Sequence, residues 1–395
     1  MIIFSNDYRS NFLADKVSTG GPARFAKEFS DYAINKKNIW QGISLVASAD
    51  SNIKIKQIKR KGKFFWLVSM DQKLIKAVCD AKTKVDPGKI LQPVIEQIRR
   101  IIKKFKPDII FLNGFSIFNW IILKAAFDEN KKIVIQHAGI LAKEINIYAD
   151  FFSPWGRKLL LQMEKDITDS VAVEIFLNEF SKQTYFKLVR KVPSEKAFVI
   201  PLPFSGKKNI RPKFKAFNSD KSLKIGAIAR WDRIKNHEAI LKLAKALRKN
   251  GLPWKIYSVT KIPETAVRSD FKKQYRNLVE VIAPMDYNHI IKFLQKMDLL
   301  ILPSHFDVSP NVVIEAANEG KITLISPNVG WVNEYRRNHC ADLIVDFAKP
   351  KAVIGRIKKI SKAVSFAKIN KMFSNLNKKH DKKYIFDAYL QLFKN

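Results

Sequence analysis

The stretch that decides the fold lies at residues 302–320 and reads Leu-Pro-Ser-His-Phe-Asp-Val-Ser-Pro-Asn-Val-Val-Ile-Glu-Ala-Ala-Asn-Glu-Gly. An apolar run typical of a buried strand ends at its start, and a helix-like run begins near Asn311. Asp307 therefore follows the carboxyl end of a strand, and Glu315 lies eight residues later, inside the helix. In α/β proteins, phosphorylated ligands bind where a strand ends beside the first backbone N–H groups of a helix.

Strand-like and helix-like segments alternate through the rest of the chain, a pattern typical of parallel sheets covered by helices. A length of 395 residues fits two domains. We therefore expect an α/β protein whose ligand lies in the cleft between its domains. The predicted boundaries are an N-terminal domain at 1–203, a polar linker at 204–221, a C-terminal domain at 222–379 and a helix at 380–395 that could pack back on the first domain.

A second motif precedes the opening stretch in the same predicted domain. Residues 225–238 read Ile-Gly-Ala-Ile-Ala-Arg-Trp-Asp-Arg-Ile-Lys-Asn-His-Glu. A strand ends at Arg230, and Lys235 comes just before a helix, so two cations flank a space of phosphate size. The alternative is an ordinary loop between a strand and a helix, in which Asn236 only caps the helix.

The two motifs together resemble the donor-binding domain of the GT4 family, whose members are retaining glycosyltransferases of the GT-B fold. The resemblance implies two Rossmann-like α/β/α domains that face each other across a cleft. The residues that carry it in the second domain are Ala229, Arg230, Lys235, Asn236, Pro303, Ser304, Asp307, Glu315, Gly320 and Gly330. In the first domain it rests on Thr19-Gly20-Gly21-Pro22, on residues 106–110 and on Gln136-His137.

The resemblance implies a role for each matching residue. Arg230 and Lys235 would hold the nucleotide diphosphate, and Glu315 would bind the ribose hydroxyls. Asp307 and His137 would be catalytic, the first facing the donor sugar near its reacting carbon and the second contacting the sugar or the developing charge. Backbone groups would complete the donor site at Ser309, Asn311 and Val312 and at the glycine loop of Gly20 and Gly21.

The chain departs from the family pattern in its key loop. The family usually has Glu where Asp307 stands, so this carboxylate is one methylene shorter. Common members have glycines at the positions of Val308 and Pro310, and proline has no N–H to donate. Residues 201–204 read Pro-Leu-Pro-Phe, without the Asn-Gly that usually follows the first domain.

Nothing in the sequence calls for a cofactor. It contains no Asp-x-Asp motif, no Walker A loop and no zinc-ligand spacing, so we expect a nucleotide diphosphate sugar as co-substrate and no required metal. The two cysteines, Cys79 and Cys340, form no disulfide framework, which fits a reducing cytosol. We find no secretory signal and no apolar run long enough to span a bilayer, so a cytoplasmic location is expected.

The formal net charge is +36, from 72 basic and 36 acidic residues. It has three explanations: attachment to the anionic inner face of a membrane, lysines scattered over solvated faces by compositional bias, or binding of nucleic acid. A basic, strand-like cluster at residues 53–67 suits lipid headgroups better than base recognition. An anionic membrane surface is therefore a candidate partner, and nucleic acid is not expected to be one.

The sequence thus predicts a retaining transferase that moves a hexose from a nucleotide diphosphate sugar to a glycan or a lipid-linked acceptor, in the biosynthesis of cell-surface polysaccharides or glycoconjugates. Two alternatives stay open. One is another GT-B enzyme, such as a nucleotide-sugar epimerase. The other is a basic binding protein without catalytic activity.

Overall fold

The structure is a computed structural model of the chain. It describes residues 2–6, 24–25, 28–29, 31–33, 42–48, 55–60, 63–193, 195–204, 206, 209, 212–264, 268–363 and 366–394. The chain divides into two compact units, the first formed by Met1–Leu202 with Lys383–Asn395 and the second by Pro203–Lys382.

The first unit is built on a sheet of the order β3-β4-β2-β1-β5-β6-β7-β8. Neighbouring strands are parallel, except that β3 pairs antiparallel with β4. A parallel sheet needs crossover connections, which here are mostly helices. The strands are β1 (Ile2–Asn6), β2 (Gly42–Ser48), β3 (Ile55–Arg60), β4 (Lys63–Ser69), β5 (Ile109–Asn113), β6 (Lys132–His137), β7 (Val173–Phe176) and β8 (Ala197–Val199).

The helix Pro87–Phe105 of the first unit forms because apolar residues recur on one face of the segment. Leu91, Ile95, Ile98 and Ile102 share this buried face, and each contributes about 1.5–3 kcal/mol by leaving water. The helices are α1 (Gln72–Cys79), α2 (Pro87–Phe105), α3 (Ile117–Phe127), α4 (Leu141–Glu144), α5 (Pro154–Ser170) and α6 (Glu179–Leu188).

The second unit has a parallel sheet of the order β11-β10-β9-β12-β13. Its strands are β9 (Lys224–Ile228), β10 (Lys255–Val259), β11 (Glu280–Ile282), β12 (Leu299–Leu302) and β13 (Thr323–Ile325). Its helices are α7 (His237–Lys249), α8 (Ser269–Leu278), α9 (Tyr287–Lys296), α10 (Asn311–Asn318), α11 (Val332–Arg337), α12 (Pro350–Ala363) and α13 (Phe366–Lys379).

The strand order of the second unit creates a switch point. The chain leaves β9 toward β10 on one side of the sheet and reaches β12 on the other, and β9 and β12 are neighbours. Ligands of open α/β sheets bind at the carboxyl ends of the strands at such a point. The two motifs of the sequence follow these two strands.

The segment at 204–221, expected to be a linker, packs against the second unit where the structure describes it. The backbone N–H of Lys215 donates to the carbonyl of Gly320 at 2.9 Å, and the Phe217 side chain is buried in the core of that unit. Gly320 ends α10 with a φ of 72°, and a Cβ there would lie 2.1 Å from the Lys213 carbonyl oxygen. The segment is therefore part of the second unit, because its backbone and aromatic groups find partners there.

The last helix, α14 (Lys382–Lys394), completes the core of the first unit. Its aromatic side chains pack on the helical residues near the start of the chain, with ring centroids 5.3 Å apart for Phe386 and Phe29 and 5.2 Å apart for Tyr389 and Phe29. Such pairs contribute about 0.5–1.5 kcal/mol beyond the area they bury. The buried Tyr389 hydroxyl donates to Gln136 Oε1 at 2.6 Å, which ties α14 to β6.

Candidate functional site

The loop after β9 is held in shape by its own polar side chains. Asp232 accepts from the exposed Arg230 side chain at 2.9 Å (Nε to Oδ2) and from the backbone N–H of Ile234 at 3.1 Å. Asn236 adopts a left-handed conformation with a φ of 56°, and its Oδ1 accepts from Ala239 N at 3.2 Å. Asn tolerates this conformation better than most residues. The capping role considered for Asn236 is therefore confirmed.

The loops after β9 and β12 are joined by hydrogen bonds. The backbone N–H of His305 donates to the carbonyl of Ile234 at 2.8 Å, and Asn236 Nδ2 donates to the carbonyl of Pro303 at 3.1 Å. We call residues 230–236 and 303–310 the site loops. Two stretches that are about 70 residues apart in sequence thus form one rigid frame at the switch point of the sheet.

Lys235 and Asp307 meet within this frame. Their side chains form an ion pair between Nζ and Oδ2, and they are 19% and 14% exposed. Backbone bonds fix Asp307 on its other side, since its N–H donates to Asn328 at 3.2 Å and its carbonyl accepts from Gly330 at 2.8 Å. A predicted phosphate-binding cation and a predicted catalytic carboxylate are therefore in direct contact in the structure.

The start of α10 offers unpaired polar groups next to this pair. Ser309 is 9% exposed, and its Oγ has no hydrogen-bond partner among the described residues; the same holds for Ser304 Oγ and Asn311 Oδ1. Pro310 precedes the helix without a side-chain cap, so the first N–H groups, including those of Asn311 and Val312, have no capping acceptor. Orphan N–H groups and the helix dipole together favour an anion at this place.

Glu315 lies one turn into α10 and is largely buried. It follows Asn311 by four residues, so the two side chains share one face of the helix. A buried carboxylate is costly unless it has partners. Its place beyond the anion-binding end of the helix fits the ribose contact that the family resemblance implies.

The remaining site residues of the second unit have aromatic neighbours. Trp231 stacks on the buried His237 ring, with centroids 4.2 Å apart and planes at 13°. Burial lowers the pKa of His237, which contacts the Arg230 carbonyl at 3.0 Å and the Tyr275 hydroxyl at 3.2 Å. Trp331 is buried and donates from Nε1 to the Pro310 carbonyl at 3.0 Å. Both tryptophans therefore brace the site loops.

In the first unit, His137 ends β6, and its side chain is fully buried. Its Nε2 lies 2.7 Å from Glu174 Oε2 on the neighbouring strand β7, and the two side chains are 1% and 0% exposed. The sequence predicts a histidine that reaches the donor sugar; in the structure its Nε2 is paired with Glu174 of the same unit, and the contact with the sugar stays a prediction. Gly20 and Gly21, the other predicted donor contacts of this half, lie outside the described residues.

Sequence reasoning missed Glu174, Asp232 and His237. A signal for Glu174 was present, because a charged residue in the buried strand Val-Glu-Ile-Phe needs a partner. Asp232 and His237 stand inside the Arg230 motif, but their contacts depend on a turn that the residue pattern does not specify.

Within the described ranges, no group of three or more His, Cys, Asp and Glu side chains is placed to hold a metal ion. No helix in the described part of the chain is long and apolar enough to cross a membrane.

The whole fold is similar to that of solved glycosyltransferase structures. A sucrose-phosphate synthase from Thermosynechococcus elongatus superposes with a TM-score of 0.70 at 14% identity, covering 100% of this chain and 98% of that one. The structure titled trehalose-6-phosphate from E. coli bound with UDP-2-fluoro glucose gives a TM-score of 0.66 at 11% identity, covering 100% and 99%. At such identities the likeness shows the fold alone, and the expected GT-B fold is confirmed.

Sequence comparisons match parts of the chain. The curated protein "Putative glycosyltransferase EpsF" of Bacillus subtilis (strain 168) is 27% identical over 105 residues, a match that spans 27% of this chain and 27% of that protein. Residues 209–380, which include both site loops, match the family described as Glycosyl transferases group 1.

Proposed function

We propose that this protein is a retaining glycosyltransferase of the GT4 type, which transfers a hexose from a nucleotide diphosphate sugar to a glycan or a lipid-linked acceptor. The observation that carries the proposal is the contact of Lys235 with Asp307 beside the unpaired Ser309 Oγ and the start of α10. A cation, a carboxylate and free N–H groups at a switch point suit a ligand that combines phosphates with a sugar.

The diphosphate would bind to Lys235, Arg230 and the first N–H groups of α10. The negative charge that develops on the leaving group is then stabilised by two cations and the helix dipole. Binding requires Lys235 to exchange Asp307 for a phosphate oxygen, which frees the carboxylate to face the sugar. Glu315, further along the helix, would bind the ribose hydroxyls.

Retention of configuration follows from attack on the same face of the sugar. The bond from the anomeric carbon to the phosphate oxygen breaks, and the acceptor hydroxyl oxygen bonds to that carbon. The acceptor proton passes to the departing phosphate oxygen. Asp307 would stabilise the positive charge that forms on the sugar ring, so the chain itself supplies the required groups without a bound metal.

The donor and the location each have separate support. One solved structure with a similar fold is titled as bound with UDP-2-fluoro glucose, which favours a nucleotide sugar as donor. We extend the proposal to a role in cell-surface polysaccharide or glycoconjugate biosynthesis; the match to a putative glycosyltransferase supports the transfer reaction alone. The charge of +36 favours a cytoplasmic protein attached to the inner membrane surface.

The first prediction concerns donor binding by the second unit. In a thermal-shift series with nucleoside diphosphates and nucleotide sugars, at least one should raise the melting temperature of the wild type, since it binds only the folded state. Lys235→Ala and Glu315→Ala should abolish the shift. The matched control is Lys242→Ala, which should keep the thermal shift. Lys242 lies on the exposed side of α7 and forms an ion pair with Glu238.

The products formed with the active donor identify the reaction class. A glycosylated acceptor, or slow hydrolysis of the donor alone, fits the transferase. An epimerised nucleotide sugar would favour the epimerase alternative, and binding of nucleic acid without binding of any nucleotide sugar would favour a basic protein without catalytic activity. Normal turnover in either of the two Ala variants would contradict the assigned site.

A further inference from the structure

The basic cluster of the sequence at residues 53–67 has no part in the proposed reaction, and its strands lie at one edge of the first sheet. β3 is the edge strand, and it pairs antiparallel with β4, with Arg60 opposite Lys63. β4 runs parallel to β2, so Lys63 lies at the amino end of the sheet. α2 ends at the same end of the sheet, because Phe105 is its last residue and β5 starts at Ile109.

The end of α2 packs directly on β4. The rings of Phe105 and Trp66 have centroids 5.2 Å apart and planes at 68°, and Lys104 Nζ lies 5.6 Å from the centroid of each ring. Cation–π attraction holds an ammonium group in such a position. We call residues 55–66 and 99–106 the basic edge, since these contacts join the two segments into one surface.

The charge of the basic edge has one sign, and neighbouring carboxylates neutralise only part of it. Each of its two segments contains five Lys or Arg residues and no Asp or Glu. Arg99 forms ion pairs with Glu96 and Asp128, and Lys103 Nζ lies 3.4 Å from Glu129 Oε1. Two of the five cations of the helical segment therefore have counter-charges within the unit.

The other three cations of the helical segment face solvent. Arg100, Lys104 and Lys106 are exposed, and within the described ranges no ion pair joins any of them to a carboxylate. Lys106 ends the helix in a left-handed conformation with a φ of 44°, which fixes its backbone at the turn toward β5. Cations clustered in this way create a positive potential that attracts anionic partners.

An anionic bilayer fits this surface better than a nucleic acid does. Single-stranded nucleic acids bind where aromatic rings are free to stack on bases, whereas Trp66 and Phe105 are half-buried and pack against the core of the first unit. Clusters of about 4–8 Lys and Arg residues attract acidic lipid headgroups by charge, without a shaped pocket.

We propose that the basic edge is the surface by which this protein docks on anionic phospholipid membranes. The inference deepens the proposed function, because it assigns the membrane attachment to particular residues. The carboxyl ends of the strands, where β6 ends at His137, lie at the opposite end of the sheet. Docking through the basic edge therefore leaves the strand ends at which α/β sheets bind ligands accessible.

Vesicle sedimentation with the full-length chain tests the surface. The triple variant Arg100→Gln, Lys104→Gln and Lys106→Gln should bind vesicles of phosphatidylcholine and phosphatidylglycerol on the order of a hundredfold more weakly than the wild type, because three charges that attract the headgroups are lost. Its melting temperature without vesicles should match that of the wild type, since the three side chains are exposed.

A matched control removes three exposed lysines of α12 in the second unit, with Lys351→Gln, Lys358→Gln and Lys359→Gln. It loses the same net charge and should bind the vesicles less than about tenfold more weakly, because screening limits the effect of charges far from the lipid. Equal losses in the two triple variants would refute the basic edge as the docking surface. So would a first triple variant that still binds vesicles but no longer binds a single-stranded oligonucleotide that the wild type binds.

Hydrogen exchange gives a measurement that needs no variant. When anionic vesicles are added to the wild type, backbone amides of residues 55–66 and 99–106 should exchange more slowly, and vesicles of phosphatidylcholine alone should have no effect. Slower exchange elsewhere in the chain, with none in these two segments, would overturn the proposal.

Docking and the proposed transfer reaction can fail separately, because vesicle binding is measured without donor or acceptor. A protein that docks on anionic vesicles and binds no nucleotide sugar refutes the proposed reaction and leaves the docking surface intact. A protein that is stabilised by a nucleotide sugar and has no affinity for anionic vesicles refutes the docking surface alone.

Discussion

At the scale of single residues, the pairing of Lys235 with Asp307 sets the conditions for anion binding. The two charges neutralise each other in a part-buried place, so an incoming phosphate must compete with a carboxylate for the same ammonium group. In the proposed function, this competition links arrival of the diphosphate to release of Asp307.

The second prediction follows from that competition. Asp307→Asn removes the competing charge, so the affinity for a nucleoside diphosphate should equal or exceed that of the wild type. Transfer should fall roughly a hundredfold or more, the size of losing one electrostatic contact to the transition state. Calorimetric titration and a product assay measure the two effects. Asp270→Asn, at an exposed pair with Arg268, is the control; weaker diphosphate binding in Asp307→Asn would contradict the competition.

His237 links the Arg230 loop to the interior through hydrogen bonds of defined direction. The Arg230 carbonyl can only accept, so Nε2 of His237 carries the hydrogen in their 3.0 Å contact. Nδ1 of His237 lies 3.2 Å from the Tyr275 hydroxyl, which donates to Ser258 Oγ at 3.0 Å.

The third prediction is a pH dependence of stability. Burial lowers the folded-state pKa of His237 below its ordinary value of 6.5, so the unfolded chain binds the proton more readily. The contribution of His237 to stability should be complete above about pH 6.5 and should be lost as the pH falls through the folded-state pKa. Denaturant titrations from pH 8 to 5 should show this slope in the wild type and less of it in His237→Gln.

At the scale of elements, the placement of α10 depends on both ends of the helix. The helix is only eight residues long, and Gly320 stops it in a left-handed conformation against the Lys213 carbonyl. Glycine is required at this position for two reasons. A side chain would be strained by the left-handed backbone angle, and it would also clash with the segment that packs there. This contact fixes the helix whose other end forms the anion site.

The fourth prediction separates these two requirements with a pair of glycines. Gly320→Ala should destabilise the protein by about 2–5 kcal/mol, because left-handed strain and steric crowding add. Gly251→Ala has a similar φ of 60° but nothing within 4 Å, so it should cost only about 1–2 kcal/mol. Urea unfolding measures both values. Equal losses of stability in the two variants would show that the Lys213 carbonyl moves away from the added methyl group without cost.

The elements themselves were predictable from local pattern. A helix expected near Asn311 begins there, and the strand expected at Leu299–Leu302 is present. The pairing of His137 with Glu174 was not predictable, because it depends on β6 lying next to β7 and on side chains that meet across the sheet. The contact of Lys235 with Asp307 likewise depends on strand order, which the spacing of residues in the sequence does not state.

At the scale of the whole molecule, the fold does not explain the net positive charge. The two α/β units and the GT-B fold agree with the alternation of strands and helices in the sequence. The segment at 204–221 shows the limit of such patterns, since its polar composition predicted a linker although its backbone pairs with the second unit. The charge of +36 points to anionic partners at the surface.

The fifth prediction tests that surface. The protein should sediment with vesicles of phosphatidylcholine and phosphatidylglycerol at low salt, and not with vesicles of phosphatidylcholine alone. Raising the ionic strength from 0.1 to 1 M shortens the screening length from about 10 to about 3 Å and should release it. Binding that is independent of lipid charge and salt, or no binding at all, would leave compositional bias as the explanation of the charge.

The packing of α14 also constrains how the chain folds during synthesis. The first unit contains Met1–Leu202 and receives its last helix only after the whole second unit, Pro203–Lys382, has left the ribosome. Until then the rings of Phe25, Phe29 and Phe111 lack their aromatic partners from α14. A nascent or truncated first unit therefore exposes an apolar surface that invites chaperones and aggregation, and excising the units as separate domains requires α14 to be joined to the first.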